Sequence, residues 1–185
     1  MALTESTMLE LATTAPDFAL TDVVSGKTVR RDDFRGKDAL LVLFICTHCP
    51  YVKHIEKTLG PLGKDYAGES LGIVAVSSND VNTHPADSPE GMKAQAQAQG
   101  FTFPYLYDES QAVARSYHAA CTPDFFLFDK DFRLVYRGQY DSSRPNSGIP
   151  ITGEDLRAAI DTVLAGKKVP VEQRPSVGCN IKWKA

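Results

Sequence analysis

One stretch constrains the fold more than any other, and it is the apolar run at residues 40–45 that leads directly into Cys46 and Cys49. A short unbroken apolar run of this kind is typical of a strand buried on both faces. From Val52 onward the apolar residues recur every three or four positions, which indicates an amphipathic helix. Pro50 suits the first turn of a helix, because its missing N–H needs no partner there. The sequence therefore predicts a buried strand, a C-x-x-C motif at the turn and then a helix.

The position of the two cysteines has a chemical use. Unpaired backbone N–H groups and the positive end of the helix dipole favour a thiolate over a thiol. We expect Cys46, with its sulfur toward solvent, to be the nucleophile, and Cys49, one turn further in, to be shielded and to resolve the mixed disulfide. His48 lies between them, and as an imidazolium it would stabilise the Cys46 thiolate and move the couple in the oxidising direction. A solvated turn histidine without such a role is the alternative.

Length and composition exclude several classes of protein. The 185 residues are 43% hydrophobic, which predicts a single domain over residues 1–185. A net charge of −3 with scattered basic residues predicts no nucleic-acid partner and no membrane partner. No apolar run approaches the roughly 20 residues that cross a bilayer. Residues 1–17 lack the basic start and apolar centre of a signal peptide, so we expect a cytoplasmic protein, in which four cysteines are too few for a disulfide scaffold.

The rest of the chain alternates strand and helix patterns. A polar N-terminal arm at residues 1–15 precedes a hairpin that turns at Ser25-Gly26. Further strands are predicted at 71–77, 103–107, 124–128 and 133–137, and further helices at 91–99 (exposed), 108–117 and 152–164. Residues 166–185 are expected to be an irregular C-terminal tail. This order predicts an α/β fold with a mixed central sheet flanked by helices.

Two motifs together resemble a known family. The C-x-x-C of Cys46 and Cys49 stands at a strand-helix junction, and Thr122-Pro123 directly precedes an apolar strand. In these features the chain resembles the thioredoxin superfamily, and within it the redoxin branch of alkyl hydroperoxide reductase and thiol-specific antioxidant (AhpC/TSA) relatives, over roughly residues 16–184. The resemblance implies a thioredoxin-like fold with an N-terminal hairpin, an inserted strand-helix segment and a cis peptide bond before Pro123. It also implies that Thr122 and Pro123 border the groove that binds substrate.

Two departures from thioredoxin itself bear on the site. Thioredoxin places Trp before the first cysteine and Gly-Pro between the pair, whereas Ile45 and Thr47-His48 take those places here. Thioredoxin also carries a buried acid in the preceding strand, and residues 40–45 contain no carboxylate. Another group must therefore manage the proton on Cys49, and His48 is the nearest titratable candidate.

Two classes of enzyme fit these motifs. The first is a thiol-disulfide oxidoreductase, in which Cys46 and Cys49 reduce or exchange protein or small-molecule disulfides and a thiol reductant regenerates them. It needs no cofactor beyond the redox-active Cys46–Cys49 disulfide. The second is a thiol peroxidase that acts through a sulfenic acid. Family peroxidases carry P-x-x-x-T-x-x-C, and here Val42 stands at the proline position before Cys49 and Cys46 at the threonine position, so we expect little or no peroxide turnover.

The remaining cysteines, Cys121 and Cys179, have no motif of their own. Each is either a small residue that fills space in the core or an auxiliary redox group close enough to exchange electrons with the main pair. Alternatively, the two form a second disulfide. A metal carrier is a third function, in which His48, His54 and these two cysteines converge. A structural zinc site normally needs a second closely spaced ligand pair, which is missing, so we expect no metal.

Overall fold

The computed structural model describes residues 2–185, and the chain forms two sheets with four α-helices. The strands are β1 (Leu3–Glu5), β2 (Ala19–Asp22), β3 (Thr28–Arg30), β4 (Ala39–Phe44), β5 (Leu71–Ser77), β6 (Tyr105–Tyr107), β7 (Cys121–Thr122), β8 (Asp124–Asp129), β9 (Leu134–Tyr136) and β10 (Val177–Asn180). The helices are α1 (Pro50–Asp65), α2 (Pro89–Gln99), α3 (Ala112–Ser116) and α4 (Glu154–Leu164). Within residues 2–185 no helix is long and apolar enough to cross a membrane.

The larger sheet has seven strands in the order β3-β2-β6-β5-β4-β8-β9. Strand β4 runs parallel to β5 and antiparallel to β8, so the sheet is mixed, as the sequence predicts. Every residue of β4 is buried, because one core packs on each face of the sheet. The strand-helix segment expected between β5 and Phe103 contains helix α2 but no strand, so the strand part of that expectation is corrected. The predicted thioredoxin-like fold is confirmed.

Local signals set the ends of the helices around the site. Cys49 is the N-cap of α1, and Pro50 is its first residue. Helix α2 begins after Ser88, whose hydroxyl oxygen accepts a hydrogen bond from the backbone N–H of Gly91, and it ends at Gly100 in the left-handed conformation. The expectation that α2 is exposed is only partly met, since its residues Met92, Gln95 and Ala96 are buried against the core. This buried face brings α2 to the cysteine turn.

The smaller sheet joins both ends of the chain. Its order is β1-β10-β7, with all neighbours antiparallel. The predicted polar arm at 1–15 and irregular tail at 166–185 therefore each contain a strand, and both predictions are corrected. The strands have three and four residues, and their partners are distant in sequence, so no local periodicity reveals them. The peptide bond between Thr122 and Pro123 is cis, as predicted.

Candidate active site

The two cysteines of the C-x-x-C motif lie between the carboxyl end of β4 and the start of α1. The backbone N–H of Cys49 donates to the Cys46 sulfur at 3.4 Å. The Cys46 sulfur is also 3.5 Å from the hydroxyl of Thr122, and the Cys49 sulfur is 3.3 Å from the Thr122 carbonyl oxygen. The structure thus brings together the predicted dithiol and the residue that precedes the cis Pro123.

Both sulfurs are hidden from solvent. Cys46 and Cys49 each have an exposed fraction of 0%. The expectation that the Cys46 sulfur faces solvent is therefore wrong, because Thr122 closes over the turn from one side and the segment around Asp87 closes it from the other. A reagent in solution therefore reaches these thiols only when one of these covers moves.

The two thiols ionise as a coupled pair. Hydrogen bonding from the Cys46 thiol lowers the pKa of Cys49 to about 5. The same contact raises the pKa of Cys46, and burial and the Asp87 carboxylate add to that effect. One proton shared between two sulfurs belongs to the pair rather than to either residue. The dithiol therefore carries one negative charge more readily than an ordinary pair of cysteines, and which sulfur attacks a substrate stays a prediction.

Asp87 fixes the Thr47-His48 turn between the cysteines. Its carboxylate is fully buried and lies 2.6 Å from Nδ1 of His48. The backbone N–H and the hydroxyl of Thr47 donate to its other oxygen at 2.8 and 2.7 Å, and the Asn79 side chain donates at 2.9 Å. A ring nitrogen of His48 lies within 4.8 Å of the Cys46 sulfur. The predicted neighbour of Cys46 is thus held in place by a buried carboxylate, although its role in proton transfer stays a prediction.

A second polar network holds the backbone of Cys46. The amide nitrogen of Gln95 on α2 donates to the Cys46 carbonyl and to the buried Glu56 carboxylate, each at 3.0 Å. The hydroxyl of Tyr105 on β6 donates to the Gln95 side-chain oxygen at 2.9 Å. Because these contacts tie α1, α2 and β6 to one carbonyl, the position of Cys46 is fixed from three elements.

Sequence reasoning missed Asp87, Asn79 and Gln95. A signal existed for Asn79, since β4 and β5 are parallel and the carboxyl ends of parallel strands meet at one edge of the sheet. Asn79 follows β5 almost directly, as the C-x-x-C motif follows β4. Gln95 gave no such signal, because the Ala and Gln residues around it indicate only a helix.

A metal ion fits this arrangement poorly. Cys46, His48 and Asp87 place one ligand atom each within 4.8 Å of one another. Both carboxylate oxygens of Asp87 already accept hydrogen bonds from Thr47, His48 and Asn79. A bound cation would have to displace these contacts, so the geometry favours a positioning role for Asp87. In the described chain, the convergence of His48, His54, Cys121 and Cys179 that a metal carrier requires does not occur.

The two remaining cysteines lie on opposite faces of the small sheet. Cys179 pairs with Thr122, its thiol lies within hydrogen-bonding reach of the Cys49 sulfur, and burial raises its pKa to about 12. Cys121 pairs with Asn180, donates to the Pro123 carbonyl at 3.6 Å, and has its pKa raised by burial. The structure therefore places Cys179 at the dithiol and directs Cys121 away from it. Neither redox role is tested by these positions.

A dithiol at a helix start, a buried strand before it and a cis proline beside it define a thioredoxin-like enzyme of the thiol-disulfide oxidoreductase class. The AhpC/TSA family matches residues 11–137, and the chain belongs to this family.

Known proteins resemble the chain to different extents. An uncharacterized conserved protein from Geobacillus kaustophilus, of known crystal structure, is 53% identical, with a TM-score of 0.97 over 100% of this chain and 97% of that one. The thiol-disulfide oxidoreductase ResA of Geobacillus kaustophilus (strain HTA426) is 33% identical over 128 residues, which are 69% of this chain and 68% of ResA. The thioredoxin domain of a Bacteroides vulgatus thiol-disulfide oxidoreductase shares the fold, with 21% identity and a TM-score of 0.59 over 70% of this chain and 88% of that domain.

Proposed function

We propose that the protein reduces or exchanges disulfides with Cys46 and Cys49 as its redox couple. The observation that carries the proposal is the position of the two cysteines at the start of α1, where the backbone N–H of Cys49 donates to the Cys46 sulfur beside Thr122 and the cis Pro123. A thiolate is the attacking species in thiol-disulfide exchange, and the lowered pKa of Cys49 means that the pair holds one thiolate near neutral pH. The similarity to the thiol-disulfide oxidoreductase ResA supports the same reaction class.

The reaction balances without a cofactor. A thiolate of the pair, which we assign to Cys46, attacks one sulfur of the client disulfide, and the other client sulfur leaves as a thiolate. Cys49 then attacks Cys46 in the mixed disulfide, so the client gains two electrons and the enzyme ends as the Cys46–Cys49 disulfide. His48 is positioned to take and return the proton, since its Nδ1 donates to Asp87 and its ring is beside Cys46. A thiol reductant reverses the cycle.

A redox equilibrium with glutathione tests this function. Wild-type protein is brought to equilibrium with mixtures of reduced and oxidised glutathione, quenched in acid, alkylated and mapped by mass spectrometry. We expect two thiols per chain to be lost together, with Cys46 and Cys49 in one linked peptide, and a potential above the roughly −270 mV of thioredoxin. Cys121→Ser is the matched control and should titrate like wild type. A wild-type protein in which Cys46 and Cys49 never form a disulfide contradicts the proposal.

A thiol peroxidase is the second candidate, favoured by the AhpC/TSA family match. Consumption of hydrogen peroxide by the reduced protein distinguishes the two, and we expect it to be slow, because the peroxidase pattern ahead of the cysteine is absent. The cytoplasmic location expected from the sequence also stays a prediction, which cell fractionation checks.

A further inference from the structure

Strand β10 pairs with the edge of β7 at Thr122, where the family resemblance implies that substrate binds. Its residues Cys179 and Asn180 pair with Thr122 and Cys121 of β7, immediately before the cis proline. The fit is close, since a Cβ atom on Gly178 would lie 1.9 Å from the Thr122 carbonyl oxygen. Only a residue without a side chain permits this approach. The edge at Thr122 is therefore covered by the protein's own C-terminal strand, and the substrate-groove role expected for Thr122 and Pro123 stays a prediction.

The pairing register directs Cys179 toward the dithiol. Residues directly opposite each other in an antiparallel pair project from the same face of the sheet. The hydroxyl of Thr122 lies 3.5 Å from the Cys46 sulfur, so Cys179, its partner, projects toward the dithiol as well. Its thiol lies within hydrogen-bonding reach of Cys49. Cys121 is one residue before Thr122 in β7 and projects from the other face of the sheet.

Contacts on either side of β10 hold Cys179 in this position. On one side β10 pairs with β1, where Leu3 is opposite Cys179. Just beyond the strand, the backbone N–H of Lys182 donates to the Asn79 side chain at 2.8 Å, and its carbonyl oxygen accepts from the backbone N–H of Asp80 at 2.8 Å. Cys179 is 2% exposed. Cys179 is thus held beside Cys49 in a site closed to solvent, which is what exchange between these two residues within one chain requires.

We propose that Cys179 is a third redox cysteine on a strand that acts as an internal substrate, and that it exchanges with the Cys46–Cys49 disulfide. In this step the Cys179 sulfur attacks the Cys49 sulfur. The Cys49–Cys179 bond forms as the Cys46–Cys49 bond breaks, and the electron pair of the broken bond passes to Cys46. The proton of Cys179 is transferred to Cys46, so no external oxidant or reductant takes part. The inference rests on the proposed function, because it uses the same dithiol.

Oxidation of the main pair favours this exchange. In the reduced protein, burial and then the contact with Cys49 raise the pKa of Cys179. Once Cys49 is in a disulfide, it carries no negative charge, and its contact no longer raises the pKa of Cys179. The backbone N–H of Tyr51, which favours the Cys179 thiolate, remains at the start of α1. Cys179 therefore becomes a better nucleophile when its target is formed.

Variants of the first cysteine test the exchange, because they leave Cys49 with only one partner at the site. Cys46→Ser protein is oxidised with diamide, quenched in acid, alkylated and mapped by mass spectrometry. We expect it to lose two thiols per chain and to yield a peptide linked through Cys49 and Cys179. Cys46→Ser/Cys121→Ser should do the same, whereas Cys46→Ser/Cys179→Ser should keep both thiols. Cys46→Ala repeats the test, and circular dichroism confirms that each variant is folded.

The outcomes separate this inference from the proposed function. A Cys49–Cys121 link, or a Cys46→Ser protein that keeps all three thiols under conditions that fully oxidise wild type, overturns the third-cysteine role alone. A wild-type protein that forms no Cys46–Cys49 disulfide with glutathione overturns the proposed function. Singly oxidised wild type should contain both the Cys46–Cys49 and the Cys49–Cys179 linked peptides, and finding only the first also counts against the exchange.

Discussion

Replacement of Gly178 by alanine should release β10 from the dithiol. The new Cβ atom would lie 1.9 Å from the Thr122 carbonyl oxygen, and carbon and oxygen approach each other no closer than about 3.3 Å. The strand must therefore retreat by roughly 1.4 Å, which exceeds the tolerance of backbone hydrogen bonds with N···O distances of about 2.7–3.2 Å. Loss of two such bonds at about 0.5–1.5 kcal/mol each lowers the free energy of opening β10 by about 1–3 kcal/mol.

The labelling rate of Cys179 measures this opening. A thiol that reacts only in the open state reacts faster in proportion to the open population, so Gly178→Ala should raise the rate of alkylation by about 5- to 150-fold. Peptide mapping identifies the labelled cysteine, and urea unfolding reports the global change. Gly68→Ala is the matched control, because nothing lies within 4 Å of its added Cβ. Equal Cys179 labelling rates in Gly178→Ala and wild type would refute the argument from the close approach of β10 to Thr122.

Three further predictions concern the dithiol and the buried acid Asp124 at the start of β8. Cys49→Ser should accumulate mixed disulfides with client proteins, whereas Cys46→Ser should trap few; the reverse pattern on non-reducing gels would assign attack to Cys49. His48→Ala should raise the first pKa of the dithiol, and Asp87→Asn should lower the pKa of Cys46, each by on the order of 1 unit. Thiolate absorbance recorded against pH measures both changes, and pKa shifts of the same sign in the two variants would contradict the prediction. Burial raises the pKa of Asp124 to about 7, above its value in the unfolded chain, so folding is opposed once the pH is high enough to ionise this carboxyl. The stability of wild type relative to Asp124→Asn, measured by urea unfolding, should therefore fall by roughly 2–3 kcal/mol between pH 5 and pH 8. A difference that does not change with pH would show that this carboxyl stays ionised.

The elements around the dithiol were predictable because their signals are local. The apolar run of β4, the period change at Cys49 and the Ser88 cap of α2 each lie within a few residues of the feature that they specify. The cis peptide bond before Pro123 followed from the family resemblance and is confirmed.

The cover of the site was not predictable from local patterns. Burial of Cys46 depends on Thr122 and Asp87, which are brought to it by the topology of the sheet rather than by spacing in the sequence. Strand β10 contains a glycine and a polar residue in four positions, and its register is set by β1 and β7, so its own sequence indicates no strand. A short strand in a tail therefore reads as an irregular segment until its partners are known.

The join between the two chain ends has a consequence for biosynthesis. Cys49 and Cys179 are 130 residues apart, and ribosomes add about 5–20 residues per second, so the dithiol waits roughly 7–26 s for the strand that covers it. During that interval the nascent chain presents Cys46 and Cys49 to cellular oxidants and to other thiols without the lid of β10. The dithiol therefore lacks the neighbouring strand β10, and with it Cys179, until that strand is synthesised.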